Sequence, residues 1–157
     1  MIARYGARVG YEGPAQVICR PNLVSAKEAP GVIDTDLESN LRKRRVAEIQ
    51  KLGSRSIVSP LGLVPKPSGG LHRIHHLSSP ANHSLNDFIP SHYGRLLYSL
   101  FSDALDQVRA AGVGAILIKR DLADAFRHIS IHPADWWLFS FEWRGKFFHV
   151  SFLLFGL

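Results

Sequence analysis

The amino-acid sequence predicts an α+β fold, and three observations indicate it. Two segments have the Gly-containing turn chemistry of β-hairpins, one at residues 66–70 and one at Arg144-Gly145. Two further segments have the end signals of α-helices, and they are interleaved with the hairpins along the chain. Because strand pairs alternate with helices, this order favours an α+β architecture over a doubly wound parallel sheet.

The distribution of Gly and Pro and the helix-end signals predict the structure of the N-terminal part. Gly and Pro recur without a clear period in residues 1–33, so we expect an irregular N-terminal arm there. A first helix is predicted to open at Asp34, in an acidic stretch that suits the helix dipole, and to run to about Leu52, before Gly53. The strands of the first hairpin follow, at Ser56 to Pro65 and Leu71 to Leu77.

The middle of the chain predicts a loop and a second helix. Residues 78–98 are rich in Ser, Pro, Asn and His, which is typical of a loop. The second helix is predicted to cover about Ser102 to Ala111, with Ser102 as its N-cap and Gly112 at its end.

The last part predicts one apolar strand and the second hairpin. The strand covers Ala115 to Asp121, and helical turns follow at 123–128 and from His132-Pro133 through Trp136. The hairpin strands are Leu138 to Trp143 and Lys146 to Phe152. The alternation of Phe139, Phe141 and Trp143 indicates one buried sheet face, which makes core tryptophans a better interpretation than tryptophans that stack on bases.

The composition narrows the class of protein. Nineteen Lys and Arg against thirteen Asp and Glu give a net charge of +6, which favours a polyanionic partner such as nucleic acid, although a merely basic domain has the same balance. The single cysteine excludes an internal disulfide. No signal peptide is visible, and the apolar stretch Phe147 to Leu157 is shorter than the roughly 20 residues of a membrane span. We therefore expect an intracellular chain with no membrane partner.

The apolar strand ends on a carboxylate, Asp121, with Asp124 three residues further on. A strand that presents an aspartate at its end can place a metal ligand at the edge of a sheet. For Asp124, an exposed carboxylate or a cap of the following turn is the preferred interpretation. His72, His75 and His76 raise the alternative of a zinc site, but one distant cysteine and a strand-like alternation favour ordinary hairpin histidines.

Several motifs together resemble the reverse transcriptases. Ser59 to Ser78 (S-P-L-G-L-V-P-K-P-S-G-G-L-H-R-I-H-H-L-S) resembles their fingers hairpin, and Lys119 to Phe126 (K-R-D-L-A-D-A-F) resembles their first palm motif. I-S-I-H-P, F-E-W-R-G-K-F-F and L-L-F-G-L follow in the family's order. S-P-L-G-L-V-P-K, H-L-S-S-P and S-L-N-D are most similar to retrotransposon enzymes of the tyrosine-recombinase, DIRS-like type. The similarity covers about residue 55 to the end.

The resemblance implies a set of site residues. Asp121 would be the first catalytic, metal-binding aspartate, joined by the backbone carbonyl of Leu122 as a ligand of Mg²⁺. Phe126 would pack under the incoming sugar and reject a 2′-hydroxyl. Phe155 would touch the nucleotide, at a position where many relatives have Gln.

The resemblance also implies cationic contacts. Lys66 and Arg73, which flank the first hairpin turn, would contact the incoming triphosphate, although two solvated charges are the alternative. The basic run that contains Arg42, Arg44 and Arg45 is typical of a solvated face, and phosphate contact is its alternative role.

The resemblance predicts a partial right-hand polymerase fold, with residues 34–113 as fingers and residues 114–157 as early palm. The thumb, the rest of the palm and the family's Tyr-x-Asp-Asp motif do not occur in the sequence. We therefore expect the fragment to be inactive alone, with an exposed apolar edge at Phe147 to Leu157 and marginal folding. The implied partners are an RNA or DNA template-primer and deoxynucleotides. The alternatives are a non-catalytic nucleic-acid-binding remnant of a retroelement and a degenerate product that does not fold.

Overall fold

A computed structural model describes residues 2–93 and 98–157 of the chain. Its helices and strands are, in chain order, α1 (Ile2–Tyr5), β1 (Val17–Cys19), α2 (Val24–Glu28), α3 (Pro30–Arg42), β2 (Val46–Ile49), β3 (Ser56–Val58), β4 (Leu61–Pro65), β5 (Leu71–His75), α4 (Phe101–Ala111), β6 (Ser140–Trp143) and β7 (Lys146–Val150). Three 3₁₀ turns lie at Asn86–Phe88, Ala125–His128 and Pro133–Phe139.

The strands form two sheets. The larger has five strands in the order β1-β3-β6-β7-β2, with parallel pairs from β1 to β3 and from β3 to β6 and antiparallel pairs elsewhere. The smaller is the hairpin β4-β5. Both predicted hairpins are present, and the described residues show the mixed α+β architecture that the sequence predicts.

The core lies between the larger sheet and α3. The rings of Phe141 and Phe148 stack at 5.2 Å between centroids. Phe141 and Trp143 of β6 are buried as predicted, whereas Phe139 is buried in the 3₁₀ turn before the strand, which begins at Ser140 rather than at Leu138. From α3, Ile33 and Leu37 are buried in the same core.

The N-terminal 33 residues are not an irregular arm. They contain α1, β1 and α2, and the side chains of Val9 and Ala26 are buried. β1 escaped prediction because it has only three residues and pairs with a strand far along the chain, through Val17↔Ser56 to Cys19↔Val58. Local turn and cap signals contain no information about such a partner.

The first helix begins and ends earlier than predicted. It begins at Pro30, whose fixed φ suits the first helical position, and ends at Arg42 rather than near Leu52. Arg44 takes the left-handed conformation, with φ 54°, and turns the chain into β2. The pairing of β2 with β7 therefore overrides a local helical pattern.

The predicted apolar edge at 147–157 is also corrected. β7 is covered on both sides, by β6 and by β2, and Phe148, Val150 and Leu154 are buried. Only the end of this segment is open, because Phe155 and Leu157 are exposed. The sequence had no signal for β2 as the covering strand.

The second helix, α4, is confirmed with a different cap. Its N-cap is Leu100, whose backbone N–H donates to the Asp103 carboxylate at 2.7 Å, so Ser102 is not the cap. Gly112 ends the helix with φ 79°, as predicted. Residues 94–97 of the predicted loop lie outside the described residues. Among the helices in the described ranges, none has the length and apolar content needed to cross a membrane.

The strand predicted at Ala115 to Asp121 does not form. Ile116, Leu117 and Ile118 are 88%, 70% and 73% exposed, and no strand in 2–93 or 98–157 hydrogen-bonds to them. An apolar run becomes a strand when a neighbouring strand satisfies its backbone groups. This segment is instead exposed, like α4, none of whose residues is buried.

Candidate functional site

The two faces of the hairpin β4-β5 have opposite environments. Leu63 pairs with Arg73 and Val64 pairs with His72, so these two pairs point to opposite faces. Arg73 and His75 are buried on the inner face, which packs on α3 and the larger sheet. His72 is exposed on the outer face.

Lys66 lies at the turn of the hairpin, directly after β4. It lies two residues beyond Val64, and its backbone N–H continues the ladder by donating to the Gly70 carbonyl at 3.0 Å. Its neighbours in the groove beside the turn are His72 and Arg73 of β5. Together with Asp36 and Ser39 of α3, these three hairpin residues line a groove of about 490 Å³ at the edge of β5.

Arg73 is a buried cation. Its side chain is 1% exposed, and its Nε lies 2.8 Å from Oδ2 of Asp36. The guanidinium carbon lies 5.2 Å from the centre of the Phe141 ring. None of its three side-chain nitrogens has a hydrogen-bond partner within the described ranges, since the Nε contact is an ion pair without hydrogen-bond alignment. Burial lowers the pKa of Arg73 to about 10, against the opposing effect of Asp36.

His75 shares this interior. Its ring meets Phe141 edge to face at 5.1 Å, and neither ring nitrogen has a hydrogen-bond partner among the residues described. Burial, with the charges of Arg73 and Arg127, holds the pKa of His75 well below its usual range. Since His72 and His75 point to opposite faces, the hairpin histidines do not converge as a zinc site, and no group of three potential ligands occurs in 2–93 and 98–157.

Arg127 connects the hairpin to the segment after Asp121. Its Nη1 donates to Asn40 Oδ1 at a long 3.4 Å, and Asn40 Nδ2 in turn donates to Asp36 Oδ2 at 3.0 Å. Burial lowers the pKa of Arg127, and Asp36 raises it. The surroundings of Arg73 and His75 thus include one carboxylate, from Asp36, and a second cation, Arg127. Asn40 links these two by its hydrogen bonds.

Phe126 and Phe155 are brought together. Their rings meet edge to face, with centroids 5.4 Å apart and planes at 84°. Phe126 is 40% exposed and Phe155 is 76% exposed, so the pair presents an aromatic surface. Asn86 holds the neighbouring backbone, because its Nδ2 donates to the Gly156 carbonyl at 2.8 Å and to Ser78 Oγ at 2.9 Å.

Asp121 and Leu122 are exposed. Within the described residues, no ion pair or side-chain hydrogen bond joins Asp121 to the hairpin or to the aromatic pair. Asp124 precedes the 3₁₀ turn in the left-handed conformation; its carbonyl accepts from the Arg127 backbone N–H at 2.7 Å, and its side chain makes no capping hydrogen bond. Its carboxylate instead accepts from Arg45 Nη1 at 2.8 Å, which holds its pKa below the usual range.

The basic run separates into two kinds of residue. Arg45 forms that ion pair with Asp124, and the Arg45 carbonyl accepts from the Ser151 backbone N–H at 3.1 Å. Arg42 and Arg44 are exposed and form no ion pair with a described residue. Lys43 between them is also exposed and forms no ion pair with a described residue, so these three side chains have heads free to meet a phosphate.

Three residues around the site escaped the sequence analysis, Asp36, Arg127 and Asn86, and His75 was considered there only as a possible zinc ligand. The alternation of β5 could have placed His75 and Arg73 on one face, opposite His72. Asp36, Asn86 and Arg127 act through partners distant in the sequence, and nothing local indicates those partners.

The whole chain was compared with known proteins. No family model and no curated protein matches its sequence. Among solved structures, a mutant of the prototype foamy virus protease-reverse transcriptase matches with a TM-score of 0.62 and 20% identity, over 99% of this chain and 20% of that one. The foamy viral enzyme with double-stranded DNA matches with a TM-score of 0.56 and 18% identity, over 99% and 28%.

A third structure, the same foamy viral enzyme with an RNA/DNA hybrid, matches with a TM-score of 0.56 and 17% identity, over 99% of this chain and 20% of that one. The chain thus spans between a fifth and 28% of the length of these neighbours. The fold of this chain is reverse-transcriptase-like.

Proposed function

We propose that the chain is the fingers and early palm of an RNA-directed DNA polymerase from a tyrosine-recombinase, DIRS-like retrotransposon. The observation that supports this best is the contact between Phe126 and Phe155. The resemblance assigns each of them to the nucleotide separately, from motifs far apart in the sequence, and the fold brings their rings together. A reverse-transcriptase-like fold over the whole chain supports the same proposal.

The aromatic pair suits a role in choosing the sugar. A rigid ring leaves no volume for a 2′-hydroxyl, so Phe126 would reject a ribonucleotide by steric exclusion. The edge-to-face contact with Phe155 limits how far the Phe126 ring can turn away. Asn86 would hold the Phe155-Gly156 backbone in place for this contact.

Nucleotidyl transfer in this family uses two divalent ions that clamp the attacking and leaving oxygens. The residues of this chain do not complete such a site, because Asp121 is one exposed carboxylate and no other carboxylate joins it among those described. One carboxylate with the Leu122 carbonyl does not balance two Mg²⁺ ions. This stretch alone would therefore not polymerise DNA.

The proposed partner is a template-primer duplex. Two structural neighbours are complexes with double-stranded DNA and with an RNA/DNA hybrid. The exposed heads of Arg42 and Arg44 favour the second candidate function, a non-catalytic nucleic-acid-binding fragment.

Binding of a labelled primer-template at several salt concentrations tests this partner. We expect measurable affinity at low ionic strength and a linear fall of log K with log salt, with a slope near −0.9 per phosphate contacted. Arg42→Gln with Arg44→Gln should reduce that slope by about two phosphates. Arg109→Gln, an exposed arginine of α4 already paired with Asp106, is the matched control and should not change it. Absence of binding at low salt would reject both candidate functions for this stretch.

A further inference from the structure

The imidazole of His75 is enclosed in an interior that suits its uncharged form. The residue is 8% exposed, and neither ring nitrogen has a hydrogen-bond partner in 2–93 or 98–157. The residues that face it from the neighbouring strands, Leu61 on β4 and Phe141 on β6, are both uncharged. Since an unpaired charge is far more costly to bury than a neutral polar group, this interior disfavours a protonated ring.

The charged groups around His75 also oppose its protonation. Arg73 lies two residues away on the same face of β5, and its guanidinium carbon is 5.2 Å from the centre of the Phe141 ring that His75 contacts. Arg127 adds a second positive charge from the 3₁₀ turn at Ala125–His128, and the Asp36 carboxylate of α3 is paired with Arg73. Burial first, and then the charges of Arg73 and Arg127, hold the pKa of His75 well below its usual range.

The two strands of the hairpin are attached to the rest of the molecule in different ways. Three hydrogen bonds of 2.8 to 3.0 Å join Leu61 and Leu63 of β4 to residues 22–25. β5 is attached through the inward side chains of Arg73 and His75. The hairpin is a sheet of its own, so β5 can leave α3 and β6 without breaking a strand pair of the five-stranded sheet.

We propose that His75 is a proton-sensitive contact of the hairpin: when its imidazole takes up a proton, β5 separates from α3 and β6 while β4 stays joined to residues 22–25. The protonated ring would add a positive charge beside Arg73, and its two N–H groups would have no acceptor among the described residues. Separation brings both groups into water. This release goes beyond the proposed function, since it requires neither a nucleotide nor a nucleic acid.

The direction of the pH effect follows from the two states of the imidazole. In the open state the ring is in water and takes up its proton near the ordinary value of about pH 6.5, whereas the closed state holds its pKa well below that. The closed state therefore binds fewer protons, so its stability is complete above about pH 6.5 and decreases as the pH falls below that value. One proton taken up on opening changes the opening equilibrium by about tenfold for each pH unit.

Amide hydrogen exchange of the purified chain between about pH 7.5 and 5.0 measures this opening, with rates converted to protection factors so that the intrinsic effect of pH is removed. We expect the protection factors of the β5 amides to fall by up to about tenfold per pH unit below about pH 6.5. The protection factors of β6 and β7 should stay nearly constant. In the closed state, the NMR signals of the His75 ring should remain those of the neutral form.

Substitutions of His75 separate its proton from its packing. His75→Phe cannot be protonated and keeps a ring for the edge-to-face contact with Phe141, so β5 protection should no longer depend on pH in this range. His75→Leu, a smaller apolar variant, should also lack the dependence. His72→Gln, on the same strand but exposed on the outer face, is the matched control and should keep the profile of the parent chain. Melting curves at about pH 7.5 identify the variants that are folded.

Three results would overturn the inference. Constant β5 protection in the parent chain over this pH range would show that opening takes up no proton. The parent's pH dependence in folded His75→Phe or His75→Leu would assign the proton to another group. An equal fall of protection in β6 and β7 would show that the whole fold opens, rather than the hairpin alone.

Discussion

Arg73 places a positive charge inside the protein with one partially exposed carboxylate to balance it. Asp36 is 40% exposed, and it is oriented by Asn40, which donates to it at 3.0 Å. A buried charge that loses its partner destabilises a fold more than the pair stabilises it, because the remaining ion is uncompensated.

Asp36→Asn should lower the free energy of unfolding by about 1–2 kcal/mol, because Arg73 would keep its charge without a counter-ion. Arg73→Met should lower the free energy of unfolding by less, since Met can fill the space against Phe141 without a charge. The double variant should be more stable than Asp36→Asn alone. Urea denaturation measures all three.

A matched control is Asp106→Asn on α4. Asp106 is 72% exposed and pairs only with Arg109 on the same helix, so its loss should have little effect. If Asp36→Asn were no more destabilising than Asp106→Asn, the buried charge of Arg73 would not depend on Asp36.

At the scale of elements, α3 is joined to the β6-β7 turn by a clamp on Asp34. Arg144 donates to the two Asp34 oxygens at 2.9 and 2.6 Å, and Trp143 Nε1 donates at 2.8 Å. These hydrogen bonds, from Arg144 first and Trp143 second, lower the pKa of Asp34 to about 2 from a usual 3.8. Arg144 and Gly145 both have positive φ in this turn, with values of 51° and 75°.

The contacts of Asp34 should make the melting temperature depend on pH in the acidic range. A carboxyl with a lowered pKa in the folded state stabilises the fold above its unfolded pKa and loses that effect as the pH falls through its folded pKa. We therefore expect the melting temperature of the parent chain to fall between about pH 4 and pH 2, in part through Asp34. Asp34→Asn should have a lower melting temperature at pH 6 and a flatter fall below pH 4.

Melting curves from pH 2 to 6 measure this effect. Glu28→Gln, at an exposed carboxylate with no ion pair to a described residue, is the control and should follow the parent chain. A parent-like pH profile for Asp34→Asn would contradict the clamp.

Elements that depend on local signals were predicted well. K-P-S-G-G and Arg144-Gly145 specify their turns by their own conformational preferences, and Gly112 ends α4. Elements that depend on partners distant in the sequence were not predicted. β1 and β2 exist because β3 and β7 pair with them, and the apolar run at 115–118 lacks such a partner among the described strands.

The whole molecule divides into a packed part and an open part. The five-stranded sheet, α3 and the first hairpin contain the buried core, whereas α4 and residues 112–122 are exposed. Asp121 therefore lies in the open part. Lys66 directly follows β4 of the packed part, and Phe126 lies in the 3₁₀ turn whose Arg127 donates to Asn40 of α3. The sequence motifs proposed the residues of the candidate site, but they could not indicate which of these residues lie together, because that depends on register and on non-local packing.

Primer extension is the most direct test of the proposal that this chain is part of a template-directed DNA polymerase. The assay uses the full protein encoded by the transcript that contains this chain, with RNA template, DNA primer and deoxynucleotides. We predict extension that Asp121→Asn abolishes, and we predict that Phe126→Val admits ribonucleotides. No extension by the folded parent protein, or full extension by Asp121→Asn, would contradict the account.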